Sequence, residues 1–278
     1  MSITFTILGC GSSGGVPRVG NDWGDCDPLN PKNRRRRCSV LVEQKGPDGS
    51  TIALIDTGPD MREQLLDAGV GHLDAVLYTH AHADHLHGID DLRAFWVKTK
   101  QRVPVYMDDV TYERASEAFS YCFRTPAGSN YPPILDRHPM QAGSPVSVTG
   151  AGGTLVFLPF LVAHGDIDAL GFRIADTAYV PDVSDIYDES VKFLENLDFL
   201  VLDCLRHNPH PSHFHLEKSL TWTRKLNPKK AIFTNLHNDL DYETLGRDLP
   251  DSVYPAYDGL QLMLTETPET FALSEHAG

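Results

Sequence analysis

Thr79-His80-Ala81-His82-Ala83-Asp84-His85, following directly on the apolar run Ala75-Val76-Leu77-Tyr78, decides the fold. Its side chains His80, His82, Asp84 and His85 are all metal-ligating types. Imidazole nitrogens and carboxylate oxygens bind zinc and its neighbours, and two alternating His followed by an Asp-His pair offer two ligand sets that point different ways. Two adjacent divalent cations are the expectation, zinc or manganese first and iron as a further candidate. A His-rich surface loop is the competing reading. Against it, clustering titratable groups without a cation is costly, and the strand before the loop aims all of them at one place. After the loop, Leu86, Ile89, Leu92 and Trp96 recur every three to four residues. That spacing predicts a helix from Asp84 or His85 that packs one face inward and seats the ligands.

Read as HxHxDH between a strand and a helix, these residues resemble the signature of the metallo-β-lactamase superfamily of hydrolases. The resemblance implies an α/β architecture, a four-layer αββα sandwich with a two-metal site at one edge of the packed sheets. It tells against flavodiiron oxygen reductases, which carry Glu where His82 stands. Strand-like segments end in Asp56, His164, Asp182 and Asn235. By the resemblance, Asp56 orients the metal loop through hydrogen bonds, and His164 completes the first ligand set with His80 and His82. Asp182 bridges the cations. Asp84, His85 and His237 hold the second cation, His237 because Asn235 stands where many relatives have the ligand His.

The rest of the chain bounds this reading. Its 278 residues contain no Gly/Ser linker or charge block, so one domain over 1–278 is expected, with a loose tail from about residue 271. A net charge of -14 speaks against broad nucleic-acid binding, which draws its non-specific affinity from basic surface. Five scattered Cys without a CxxC pair signal neither a disulfide framework nor a Cys-type zinc site, and a reducing cytoplasm fits them. No apolar stretch reaches the roughly 20 residues of a membrane helix. Residues 123–139, rich in Pro, suit either a cap over the site or a homodimer surface.

Substrate chemistry is read from three segments. Gly9-Cys10-Gly11-Ser12-Ser13-Gly14-Gly15-Val16-Pro17-Arg18 follows the first strand; its glycines permit tight turns, and Ser13 is a candidate ligand contact. Arg34 to Arg37 form a basic run, a solvated loop or an anion clamp in which Arg35 and Arg36 meet phosphate, since guanidinium forks match its geometry. His207 to His215 holds four His. The opening resembles the phosphodiesterase branch of the superfamily, which includes the phosphoribosyl cyclic phosphodiesterase of phosphonate breakdown; the chain departs from that relative's Cys-rich zinc site by keeping only Cys26. In that branch a His from the later segment acts on the leaving group or the phosphate. His213 fits that place and His215 is the runner-up.

The resulting expectation is a dinuclear hydrolase of a small cyclic or nucleotide-like phosphodiester, working through a metal-bridging hydroxide with Asp84, Asp182 and His213 as catalytic residues. A tRNA-processing endonuclease and a thioester or lactam hydrolase are the alternatives within the fold. A metal-binding or regulatory module without catalysis is the alternative outside enzymes.

Overall fold

Short runs of apolar residues with no polar face, such as Ile52-Ala53-Leu54-Ile55 and Leu200-Val201-Leu202, can be buried only if both faces of their sheet are covered. The computed structural model describes residues 2–265 and 273–274, and it contains two such sheets. The first comprises β1 (Ser2–Gly9), β2 (Ser39–Gly46), β3 (Gly49–Ile55), β4 (Ala75–Leu77), β5 (Val103–Met107) and β6 (Leu135–Pro139). The chain then builds the second sheet from β7 (Val146–Gly150), β8 (Gly153–His164), β9 (Ile167–Ile174), β10 (Thr177–Val180), β11 (Phe199–Asp203), β12 (Lys230–Thr234) and β13 (Val253–Pro255). It returns to the first with β14 (Gln261–Thr265) and β15 (Leu273–Ser274), giving the order β15-β14-β1-β2-β3-β4-β5-β6 against β13-β12-β11-β10-β9-β8-β7.

Each sheet is antiparallel toward one edge and parallel toward the other. β2 and β3 form the hairpin expected from the Gly46-Pro47-Asp48-Gly49 turn, with Gly46 opposite Gly49. From β3 to β6, and again from β10 to β13, neighbours are parallel. Parallel neighbours cannot be joined by a hairpin and need a crossover. The helices Met61–Asp67, Arg93–Thr99 and Asp109–Ala118 supply it in the first sheet, and Asp188–Val191, Leu216–Leu226 and Tyr242–Asp248 in the second.

Residue parity sorts the core. Val40, Val42, Ala53, Ile55 and Leu77 meet Phe172, Tyr179, Val201 and Ile232 between the sheets. Their alternates pack outward under helices: Leu41, Leu54 and Val76 on one side, Ala178, Leu200, Leu202 and Phe233 on the other. Four layers follow, αββα, each buried aliphatic side chain contributing about 1.5–3 kcal/mol. No helix among the described residues is long and apolar enough to cross a membrane.

The helix predicted after the metal loop is broken. It runs as Ala83–Leu86, a 3-10 turn Ile89–Leu92 and Arg93–Thr99. Gly88 sits at the break, where its N–H donates to Thr57 O at 2.7 Å and a Cβ would stand 2.3 Å from Gly58 O. The β3 exit therefore presses directly on the metal loop, and an uninterrupted helix has no room there. Residues 123–139 do not cap the site: they run along the outer edge of the first sheet into β6, and none lines the cleft described below. The loose tail expected from about residue 271 lies outside the described residues, except that Leu273–Ser274 pair with β14.

Candidate metal centre

Every strand that delivers a site residue delivers it from its C-terminal end, where crevices of parallel sheets open. Asp56 follows β3, the HxHxDH loop follows β4, His164 closes β8, Asp182 follows β10, Asp203 closes β11 and Asn235 follows β12. Asp56 is fully buried at φ 66°, a left-handed conformation costly for a residue with a Cβ. Its carboxylate accepts Thr79 N–H and Thr79 Oγ1–H, each at 2.8 Å, and His85 Nδ1–H at 2.7 Å. One side chain thus ties the start of the metal loop to its end.

These bonds fix the tautomers. Thr79 Oγ1 gives its hydrogen to Asp56, so it can only accept from His80 Nδ1, 3.0 Å away. His164 Nδ1 donates to the Ser212 carbonyl at 2.7 Å, and His85 Nδ1 donates to Asp56. In the neutral form of each of these rings Nε2 is left as a bare lone pair, the form that binds a cation. His80 and His164 Nε2 both face His82 Nδ1, at 2.9 and 3.1 Å. One Nδ1 hydrogen could serve only one of them. A cation serves all three nitrogens together with Asp182, and the ligand atoms of His80, His82, His164 and Asp182 lie within 4.8 Å of one another. Burial holds both His80 and His164 below the ordinary imidazole range, in the neutral form a cation needs. The donor set, three imidazole nitrogens and a carboxylate, fits a metal cation.

Beside the cluster, His85 Nε2 is buried with no hydrogen-bond partner, 3.3 Å from Asp182 Oδ1 and 3.4 Å from Asp84 Oδ2. Burial would lower His85, but Asp182, Asp84 and Asp56 push it well above the ordinary range. His85 Nε2 and the Asp182 and Asp84 oxygens thus stand together beside the cluster.

Residues 51–235 match the family described as Beta-lactamase superfamily domain. The chain belongs to the metallo-β-lactamase superfamily. A crystal structure of a new diphosphatase from the PhnP family is similar over 95% of this chain and 98% of its own, with 38% identity and a TM-score of 0.84. Among curated proteins, an octanoyltransferase of Porphyromonas gingivalis is 32% identical over 266 residues, 94% of this chain and 51% of its own length. A ribonuclease Z of Bradyrhizobium is 27% identical over 154 residues, 53% of this chain and 47% of its own length. The chain spans about half the length of these curated relatives.

Other members of the site fall into place around the superfamily's motif. A cleft of about 440 Å³ opens over the cluster, and Ser13, His82, Asp84, His164, Asp182 and His213 line it. His213 Nδ1 donates to Asp203 Oδ2 at 2.9 Å, leaving Nε2 without a partner among the described residues. Burial opposes charge on this ring, yet the Asp203 and Asp182 carboxylates push it up to about 9. His215 only begins the helix Leu216–Leu226 and does not line the cleft.

Three expectations meet different surroundings. Arg35 is 2% exposed, and its guanidinium is spent on the carbonyls of His237 (3.1 Å) and Leu240 (2.7 Å) and on Asn33 Oδ1 (3.2 Å). It is an internal strut, not a substrate clamp. Arg36 is likewise taken, by Asp258 at 3.1 Å and Asp67 at 2.7 Å. His237 lines the cleft but is turned from the cluster: Nδ1 bonds Asp239 Oδ1 at 3.0 Å and Nε2 meets Arg18 Nη2. Meanwhile Arg18 and Arg206, neither anticipated as anion contacts, do line the cleft. Arg18 closes the glycine-rich segment, which was the one available signal; Arg206 had none.

Proposed function

We propose that the protein is a cation-dependent hydrolase of small phosphodiesters, cyclic or nucleotide-like. The cleft carries this reading: its lining brings a nitrogen-and-carboxylate cluster together with Arg18 and His213. A cation held by His80, His82, His164 and Asp182, with a second beside Asp84 and His85, supplies Lewis acidity and a more acidic water. The chain's own groups do the rest. Arg18 attracts and orients the phosphoryl oxygens, with Ser13 beside it, while Arg206 braces the loop that carries His213 through the Asn208 and Pro209 carbonyls. Asp203 fixes the tautomer of His213 and keeps its ring protonated at neutral pH, so that Nε2 can deliver a proton to the leaving oxygen. Asp56 holds the loop rigid, so donors need not reorganise as charge develops.

A cleft of about 440 Å³ suits a small ligand, and a net charge of -14 disfavours a long polynucleotide. The similarity to a PhnP-family diphosphatase favours a second reading, in which the bond broken is a phosphoanhydride and His213 serves a phosphate leaving group. A cytoplasmic location and a homodimer belong to the same proposal; the five buried free thiols suit the former.

The test is turnover by manganese- or zinc-loaded protein of a chromogenic phosphodiester, a nucleoside diphosphate ester, a monoester and a thioester. Diester hydrolysis supports the first reading and anhydride hydrolysis alone the second. Thioester hydrolysis alone defeats both.

A further inference from the structure

Asp182 faces two ways. Its Oδ2 lies toward the cluster, 3.4 Å from His164 Nε2 and 3.8 Å from His80 Nε2. Its Oδ1 looks to the other side, 3.3 Å from the unpartnered Nε2 of His85, which is itself 3.4 Å from Asp84 Oδ2. This second half-site offers one nitrogen and two carboxylate oxygens. One of those carboxylates is shared with the first.

An amide lies against the shared carboxylate. Asn235 follows β12 at φ 59°, a left-handed turn that Asn tolerates better than most residues, and is 2% exposed. Its Nδ2 lies 3.4 Å from Asp182 Oδ1, 3.2 Å from Asp203 Oδ1 and 3.1 Å from His213 Nδ1. An amide nitrogen has no lone pair for a cation, and it competes for the Asp182 oxygen that a cation would use. Turning the amide over would set its oxygen against the Asp203 carboxylate. Nor does His237 fill the gap, being held by Arg18 and Asp239.

We propose that the two cation positions are unequal: a tight one at His80, His82, His164 and Asp182, and a weak, exchangeable one at Asp84, His85 and Asp182. The weak position, with two oxygens to one nitrogen and only three donors, prefers a hard cation such as Mn²⁺ to Zn²⁺. Asn235 sets the difference, and His237 takes no part in either position. The inference rests on the reading of the cluster as a cation site but not on which bond is hydrolysed.

The experiment is a metal count on the full chain, stripped with chelator, reloaded with Mn²⁺ and desalted, followed by a Mn²⁺ titration read by electron paramagnetic resonance. One ion per chain should survive desalting, and the second should appear only in the titration, about tenfold or more weaker. N235H should tighten the second by about tenfold, and H237A should leave both unchanged. Because Asn235 is buried, the melting temperature of N235H is recorded alongside; H237A, on the cleft wall, tests the assignment without that concern. Two equally held ions in the wild type, or an ion lost in H237A, would overturn the inference while the hydrolase reading stood. No retained ion would overturn both.

Discussion

Asp203 Oδ2 stands 2.9 Å from Nδ1 of His213 and also accepts the N–H of Val183 at 3.0 Å, so the carboxylate that charges the ring is itself pinned to the exit of β10. The pair lies at one end of the second sheet while the metal loop hangs from the first. The cleft is therefore assembled across the sandwich, on strand ends of both sheets.

This pair sets a pH limit. His213 is raised to about 9, so its acid form persists through neutrality and is lost as pH rises past that value. The alkaline limb of kcat/KM in the loaded wild type should lie above the ordinary imidazole value of about 6.5, held up by Asp203. In D203N it should move toward the ordinary imidazole value of about 6.5. H213A should lower kcat by about 10²–10⁴ with metal content unchanged.

Arg18 and Arg35 should separate cleanly. R18A, at the cleft wall, should raise KM by about tenfold and leave the melting temperature near that of the wild type. R35A should strand the carbonyls of His237 and Leu240 in the interior and cost about 2–4 kcal/mol in urea unfolding. Loss of substrate binding in a stably folded R35A would contradict the strut assignment.

Asp241 carries an acid-sensitive contribution to stability. Slight burial works against its charge, but it caps the helix Tyr242–Asp248 by accepting Thr244 N–H, and it also accepts Asn33 Nδ2 and Asp27 N–H, which brings its carboxyl down to about 2. A depressed folded-state carboxyl stabilises above its unfolded value of about 3.9 and loses that contribution as pH falls toward 2. D241A should therefore cost about 1 kcal/mol at neutral pH and almost nothing at pH 2, by urea midpoints.

Metal removal should loosen the loop as well as stop turnover. Without a cation, the buried Nε2 of His85 and the carboxylates around it lose their compensating charge. Stripped protein should melt below loaded protein, and D56A, which cuts three hydrogen bonds, should lower both melting points and narrow the gap.

What the sequence disclosed follows contact range. HxHxDH was legible because its ligands sit on one loop whose spacing is the signal, and the parity of apolar residues was legible because it repeats every two positions. Asp203 closes a buried strand much as Asp182 follows one, the only trace of its role that the sequence carries. The arginine run misled because adjacent charges look alike in one dimension. In the fold the segment is extended across the glycine-rich loop, bridging at Val16 with Arg35 and at Gly11 with Arg37. Arg34 is exposed while Arg35 is buried, the alternation any extended segment imposes. His237 and Arg18, separated by 219 positions, meet only because β12 and the exit of β1 end at the same edge. The break at Gly88 depends on Thr57 and Gly58, which helical periodicity cannot register.

The most direct test of the account is hydrolysis of a chromogenic phosphodiester by manganese-loaded wild type and H164A, each with and without chelator. The account predicts turnover by loaded wild type alone, abolished by chelator and restored on returning the cation. Diester turnover that survives chelation, or that persists undiminished in H164A, would contradict it.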